Sequence, residues 1–524
     1  MLKEILRRGY FPKELPTPFS TEKYADVIDK SLSSLPKPFS YDAKGPNYES
    51  RAFQYNVARR GKIRRPLAIP NPINFFHVAQ LVNDNWSALK SHYKKSEQTI
   101  SRPVFSNKGR AFDWEKGFEL LPKSKLDVRN ASRFIVKTDI LNFYPSVYTH
   151  SIPWALHTKP IAKEQRRFHQ NLGNKIDTAV RNGQEGQTKG IPIGPDTSFV
   201  VAEIIMTSID ESIISKLGTK YYRYVDDFEF GCSTAQEADN VLGYLQEIVA
   251  DYELTLNPEK TNIIELPALI DPLWIHELGA FKFRDTVRGQ QKDLLHYFDL
   301  SMDRFRSCGD DPVIKYAIKR TSSLEIKPEN WSLYQSLLLQ WAIAEPGVLP
   351  ISIDFIKYHM DRDAPIDIDR VKETLQHIIK VHAARGHTSE LAWSIWGMVL
   401  FQVPFDKEVV DTVADVENSV IALLCLDAQN QGLISKGYVF KRWSALMAKE
   451  ELKGANWLLA YEALIKGWLP SLDGTDYIAA AEGFSLLREN KVHFYNVART
   501  FSYKPELKYW YFKEKSSEYE AYKD

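Results

Sequence analysis

The run Tyr221–Phe230 (YYRYVDDFEF) leaves the backbone few options. Its aromatic residues favour an extended strand, whereas the two acids in its middle disfavour one. A strand that folds back at Asp226-Asp227 reconciles the two and puts both acids at a tight hairpin. Adjacent carboxylates repel each other unless something positive sits beside them. A divalent cation is the usual compensation, and Mg²⁺ prefers one or two carboxylates together with substrate phosphates. Taken alone, an aromatic-x-Asp-Asp run is a weak signal, because such pairs also occupy ordinary exposed turns.

A second acidic position changes the odds. Arg133–Ile140 (RFIVKTDI) reads as a strand ending at Asp139, followed by Leu141-Asn142-Phe143-Tyr144-Pro145-Ser146. An acid at a strand end beside a hairpin pair can clamp two cations about 3.5–4 Å apart, the layout for in-line nucleotidyl transfer. Read by itself, Asp139 is equally a turn or helix-cap residue. Between the two acidic positions lies Gln187–Ser198 (QTKGIPIGPDTS), which opens a helix over Thr197–Leu217. Its glycines allow close backbone approach, and a helix start suits phosphate or a template strand, though a plain helix start has the same look. Upstream, Lys62-Ile63-Arg64-Arg65-Pro66 offers cations for a triphosphate or, just as well, an exposed basic strand or turn. Downstream, Leu254–Thr261 (LTLNPEKT) sets Lys260 just past a turn that follows a helix over Ala235–Tyr252.

Charge adds a third constraint. The 524 residues carry a formal net charge of +1, yet Arg51–Asn130 holds 16 Lys/Arg against 6 Asp/Glu, an excess of +10 that leaves −9 for the remainder. Phe53, Tyr55, Phe75, Phe76, Trp86, Tyr93, Phe105 and Phe112 lie within this basic stretch. It reads either as a nucleic-acid surface with stacking rings or as a solvated face over an aromatic core. With 44% hydrophobic and 26% charged residues, the chain is neither disordered nor fibrous. No apolar run approaches the 18 residues of a membrane span. Three scattered cysteines and an N-terminus without an apolar stretch point to a reducing, cytoplasmic setting.

The texture changes along the chain. Residues 130–285 mix strands and helices. Beyond 290 come amphipathic windows at Lys292–Arg306, Asn330–Ala344, Ile368–Ala384, Leu391–Phe401 and Gly454–Trp468. The expected division is 1–130, an arm and a basic segment; 131–288, the acidic core; and 289–524, stacked helices, with a polar separator at 285–292. Pro12, Pro16, Pro18, Pro36 and Pro38 predict an extended, irregular arm over the first forty residues. His377, His382 and His387 recur every five residues, about 140° apart on a continuous helix, so they are not expected to face one metal.

In this order the elements resemble the palm and fingers of reverse transcriptases. Asp139 sits at the first palm motif, Gly190–Ser198 at the template and primer-grip loop, Tyr224-Val225-Asp226-Asp227 at the catalytic hairpin and Lys260 at the next palm motif. Within that family the chain is similar to the bacterial abortive-infection and defence-associated enzymes, through Arg8-Gly9-Tyr10-Phe11-Pro12-Lys13-Glu14-Leu15-Pro16 and Gly190–Ser198. The segment His387–Trp396 and the all-helical second half match their layout less specifically.

The resemblance implies an α+β right-hand polymerase of fingers and palm, followed by an all-α, HEAT-like helical-repeat domain in place of a standard thumb. It implies catalysis and metal binding by Asp139, Asp226 and Asp227 with two Mg²⁺ ions, replaceable by Mn²⁺. Nucleotide contacts are implied for Lys62, Arg64, Arg65, Ile140, Tyr144, Gly190 and Lys260, and Tyr144 is the ring that would exclude a ribose 2′-OH. The implied function is an RNA-directed DNA polymerase in anti-phage defence, cytoplasmic and bacterial. It would use dNTPs and make single-stranded DNA, either templated by a non-coding RNA or primed on a tyrosine of its own. Tyr10 reads as structural, and Tyr519 and Tyr522 carry no special support as primers. A trimeric or hexameric homo-oligomer is expected, with no membrane partner; Trp331, Trp341, Trp393, Trp396, Trp443, Trp457, Trp468 and Trp510 are core or interface candidates. The competing readings are a catalytically silent nucleic-acid-binding scaffold and an RNA-dependent RNA polymerase.

Overall fold

The computed structural model describes residues 1–40, 45–59, 63–117, 120–167, 170–308, 312–322 and 324–499. Lys62, Trp510, Tyr519 and Tyr522 lie outside the described residues.

A four-stranded antiparallel sheet carries the acidic residues. Its order is β6 (Tyr221–Tyr224), β7 (Asp227–Cys232), β5 (Phe134–Asp139) and β8 (Asn262–Glu265). Tyr221–Phe230 is therefore a hairpin, with Tyr224 opposite Asp227. On the other side of β7, Asp139 stands opposite Asp227. Two helices cover this sheet. Asp196–Leu217 is buried nearly all round, as expected of a core helix, and Ala235–Ala250 packs on β5 and β7. Two smaller hairpins precede the sheet: β1 (Phe53–Ala58) with β2 (Arg64–Ile69), and β3 (Pro103–Phe105) with β4 (Phe112–Trp114).

The arm is more ordered than its prolines predicted. Helices Leu2–Arg8 and Glu22–Lys30 flank the proline-rich turn, and short 3-10 turns follow at Leu32–Ser34 and Lys37–Phe39. The cause is aromatic anchoring. Tyr10 is fully buried, stacks on Phe75 at 4.1 Å between centroids and donates to Pro70 O at 2.5 Å. Phe494 packs against Tyr10, Phe11 and Tyr24, so the two ends of the described chain meet.

The second half is a succession of helices from Val287–Ser307 to Glu482–Glu489, each packed on a near neighbour in sequence. The polar stretch 285–292 opens the first of these helices. Thr286 caps the helix Val287–Ser307, its Oγ1 accepting from Gly289 N at 3.2 Å. Sequence periodicity also missed helices at Val313–Thr321, Leu349–Met360 and Ser419–Asn430, the last apolar on every face. Trp331, Trp341, Trp393, Trp396, Trp443 and Trp457 are buried core residues and Trp468 is half-buried.

This helical half folds back over β1, β2 and the arm. Trp393 Nε1 donates to Glu14 O at 2.9 Å, Asn418 Nδ2 to Gln54 O at 2.9 Å and Asn71 Nδ2 to Leu452 O at 2.8 Å. In the basic stretch, Phe53, Tyr55, Phe75, Phe76, Tyr93 and Phe112 are buried, and Trp86 and Phe105 half-buried. These rings are core and form no stacking platform. Among the described residues no helix is long and apolar enough to cross a membrane.

Candidate active site

Three carboxylates meet at one end of the sheet. β5 delivers Asp139, and the β6–β7 turn delivers Asp226 and Asp227. The turn has only two residues, Val225 and Asp226, between paired positions, and Val225 takes φ 51°. A β-branched residue in the left-handed region is strained by about 1–3 kcal/mol and persists only where its surroundings hold it.

Lys260 reaches the same place because its segment zips onto the end of β5. Leu141 N donates to Thr255 O at 2.8 Å and Asn257 N to Asp139 O at 2.9 Å, after which the chain turns. Lys260 Nζ then donates to Asp139 Oδ2 at 2.6 Å. The other oxygen, Asp139 Oδ1, is buried and has no hydrogen-bond partner among the described residues.

The electrostatics follow from this crowding. Burial, then Asp227 and Asp139, push the Asp226 carboxyl up to about 7. Burial pushes Asp227 up to about 6, with Lys260 and Arg59 pulling down against it. Asp227 is exposed and Asp226 half-buried at their own surfaces, while protein crowds the pair at longer range. Lys260 is partly buried, which favours its neutral form, but the Asp139 hydrogen bond and the three acids raise its pKa. A buried acceptor without a donor, among carboxylates costly to ionise together, is the donor set a hard divalent cation requires. The residues present fit Mg²⁺.

The other sequence candidates divide. Tyr144 lies in a short turn of helix, Phe143–Ser146, entered through Asn142 at φ 47°. Burial chiefly, and then the charge of Asp226, raise its hydroxyl pKa, while Arg65 opposes them. Gly190 is brought beneath it: Ile191 N donates to Tyr144 O at 3.0 Å and Gly190 N to Val147 O at 2.7 Å. A Cβ on Gly190, whose φ is +87°, would stand 3.3 Å from Pro145 O. Ile140 is core, 1% exposed, so any nucleotide contact falls to its backbone.

Arg64 was expected at the triphosphate and is not placed there. Successive strand residues face opposite ways, so Arg65 and Arg64 cannot share a direction. Arg65 stands near enough to Tyr144 for its charge to oppose the rise in that hydroxyl's pKa. Arg64 forks onto both carboxylate oxygens of Glu390, in the helix Thr388–Leu400, and its Nε donates to Asn56 Oδ1 at 2.9 Å. The histidine expectation fails for one pair. The helix ends at Ala383, Gly386 reverses the chain at φ +62°, and His387 returns onto His382 with Nδ1 atoms 2.7 Å apart. His382, His387 and Glu390 thus converge, although His377 stays apart, and the Arg64 guanidinium already supplies positive charge to Glu390.

Residues 84–297, from upstream of β3 into the helix Val287–Ser307, match the family model described as reverse transcriptase (RNA-dependent DNA polymerase). The chain carries a reverse transcriptase domain. The match takes in Asp139, Asp226, Asp227 and Lys260, and leaves out β1, β2 and most of the helical half. Among solved structures, apo telomerase from Candida tropicalis truncated from its C-terminal domain is 15% identical at TM-score 0.29, covering 47% of this chain and 55% of that one. Apo telomerase from the same organism is 12% identical at TM-score 0.31, covering 84% of this chain and 75% of that one. The chain thus spans about half the length of the first of these. Both scores are too low to bear on the arrangement of parts or on function. No curated protein matches the chain.

Behind the carboxylates, the reverse transcriptase domain contains a buried ion network that motif reading passed over. Arg223, fully buried in β6, is held by Glu203 and Asp210 of the helix Asp196–Leu217. Burial raises the Glu203 pKa, and Arg223 opposes the shift. Tyr221 Oη and Ser96 Oγ donate to the two oxygens of Asp210 at 3.0 and 2.6 Å. A signal was present. An arginine between tyrosines in a core strand demands a buried acid, and Glu203 and Asp210, seven residues apart, share one helix face. Arg59, whose charge lowers the Asp227 pKa, was also passed over.

Proposed function

We propose that the protein is a reverse transcriptase-type DNA polymerase that joins dNTPs by two-metal nucleotidyl transfer. The observation that carries this reading is the buried Asp139 Oδ1, without a hydrogen-bond partner among the described residues, beside the raised Asp226–Asp227 pair, with Lys260 on the other oxygen. Asp139, Asp226 and Asp227 would hold two Mg²⁺ ions, which when bound supply Lewis-acid stabilisation to the transferring phosphoryl group.

The remaining roles belong to the chain itself. Lys260 stays protonated beside Asp139 and faces the leaving pyrophosphate. Arg65 neutralises the incoming triphosphate, and Gly190 lets backbone approach the template or primer. The Tyr144 ring sets the preference for deoxyribose, since a ring against the sugar 2′-carbon leaves no room for a hydroxyl. We assign 1–130 to the arm and fingers, 131–288 to the palm and 289–524 to a helical domain in place of a thumb. The sequence resemblance supports a role in anti-phage defence in the bacterial cytoplasm, with DNA copied from an associated RNA or grown from a tyrosine, in a homo-oligomer.

The test is to purify the protein with and without nuclease treatment, supply each dNTP and look for labelled DNA, free or attached to protein. Synthesis is expected from wild type and not from Asp226→Asn. Equal incorporation by the two would remove the polymerase reading. Tyr144→Val should admit rNTPs; an unchanged dNTP/rNTP preference would reassign the sugar discrimination. Light scattering on nuclease-treated protein tests the oligomer: an active particle at 60.3 kDa would eliminate it.

A further inference from the structure

Resting on the reading of Asp226 and Asp227 as the catalytic pair, we propose that Arg223 and Ser101 are positioning residues. They clamp the strained Val225 peptide from both sides and so set where the two carboxylates stand.

Neither residue touches an acidic oxygen of the pair. Arg223 Nη1 donates to Val225 O at 2.7 Å, and Val225 N donates to Ser101 Oγ at 2.8 Å. Val225 is the turn residue immediately before Asp226, and its φ of 51° is one that valine rarely adopts. Hydrogen bonds on both its N–H and its C=O oppose relaxation of that φ. Relaxation would swing Asp226 away from Asp139, on the neighbouring strand.

Both clamps are themselves anchored. A guanidinium has five N–H donors in a fixed fork, and Arg223 uses them all. Nε goes to Asp210, Nη2 to Glu203 and Asp210, and Nη1 to Glu203 and Val225. Ser101 belongs to a segment laid along the outer edge of β6: Arg223 N donates to Gln98 O at 3.1 Å and Ile100 N to Arg223 O at 2.9 Å. The Ser101 N–H is tied to Thr99 Oγ1 at 3.2 Å. The hairpin is therefore fixed to the helix Asp196–Leu217 on one side and to residues 98–101 on the other. Lysine, with three donors and no fork, cannot span Glu203, Asp210 and Val225 together.

The experiment uses the full chain with Ser101→Ala, Ser101→Thr and Arg223→Lys beside wild type and Asp226→Asn. Steady-state dNTP kinetics, a Mn²⁺ titration of the nucleotide-free protein by electron paramagnetic resonance and thermal melts are recorded for each. Ser101→Ala is expected to lower kcat on the order of tenfold and to weaken Mn²⁺ binding about threefold, with KM for dNTP within about twofold. Its melting temperature should stay at the wild-type value. Ser101→Thr keeps the acceptor oxygen and should recover most of the rate, whereas Arg223→Lys should lose more than Ser101→Ala. Wild-type kcat and Mn²⁺ affinity in Ser101→Ala would overturn the proposal, as would a rate loss matched by a lower melting temperature. If wild type is as inactive as Asp226→Asn, the polymerase reading fails, and the Mn²⁺ titration still decides the clamp.

Discussion

Arg64 and Arg65 are neighbours in β2, yet they belong to two regions built on opposite terms. Arg64 lies in the seam between the β1–β2 hairpin and the helical half. There its fork meets both oxygens of Glu390, and Asn56 and Ser389 take further donors. Glu390 is buried, which pushes its pKa up, but Arg64 holds it below the usual range. Burial likewise holds the adjoining His382 and His387 imidazoles below theirs. Across the strand, the cleft is left incomplete. Three carboxylates gather about one lysine, one buried oxygen lacks a donor among the described residues, and the turn carrying two of the acids is strained. Satisfied charge makes the seam a fixed joint, whereas the deficit in the cleft is what a cation and a triphosphate would fill.

The largest expected effect breaks the cleft. Asp139→Ala should reduce dNTP incorporation by at least about 10³-fold in a primer-extension assay, with melting behaviour preserved. Breaking the seam should do the reverse. Glu390→Ala strands the Arg64 guanidinium in a largely buried site at a cost of about 3–5 kcal/mol, read by denaturant unfolding, with KM for dNTP little changed. Arg65→Ala sharpens the contrast at the very next residue: KM for dNTP should rise roughly tenfold, with a smaller loss of stability than in Glu390→Ala. An Arg65→Ala protein that unfolds easily but keeps its KM would reverse the assignment of the two faces.

The smallest effect is in pH. Asp226 and Asp227 titrate higher in the native state than in the unfolded chain, so the metal-free native state binds more protons between about pH 4 and 7. Their contribution to stability therefore falls as pH rises through that window. In chelator, Asp226→Asn should gain melting temperature over wild type, with the gain growing towards pH 8 and shrinking at low pH. Added Mg²⁺ should cancel the gain. A pH-independent difference between the two proteins would place the Asp226 carboxyl in a solvated, unshifted environment.

The acidic cleft was legible because each part is a local pattern: an acid ending a strand, two acids in an aromatic hairpin, a lysine after an Asn-Pro turn. The helical half was legible in kind, from apolar spacing. Fully buried helices such as Ser419–Asn430 escaped because they show no amphipathic period. The aromatic rings of the basic stretch were ambiguous for a different reason. A ring that stacks on a base and a ring that fills a core have the same residue type, and only the elements packed over them settle the matter: the helical half over β1, the arm over Phe75 and Phe76, and the helix Asp196–Leu217 over Tyr93. His382 and His387 were misjudged because their spacing was laid on one continuous helix, while the chain turns at Gly386 between two.

β2 shows where the division lies. The sequence by itself determined two adjacent cations; the period of two then follows from backbone geometry once Arg64–Ile69 is a strand, and it sends them to opposite faces. Which of them meets the cleft was decided by a carboxylate 326 residues further along the chain, because a charged side chain settles where a buried partner satisfies it, and no local pattern reports the distance at which that partner will fold back.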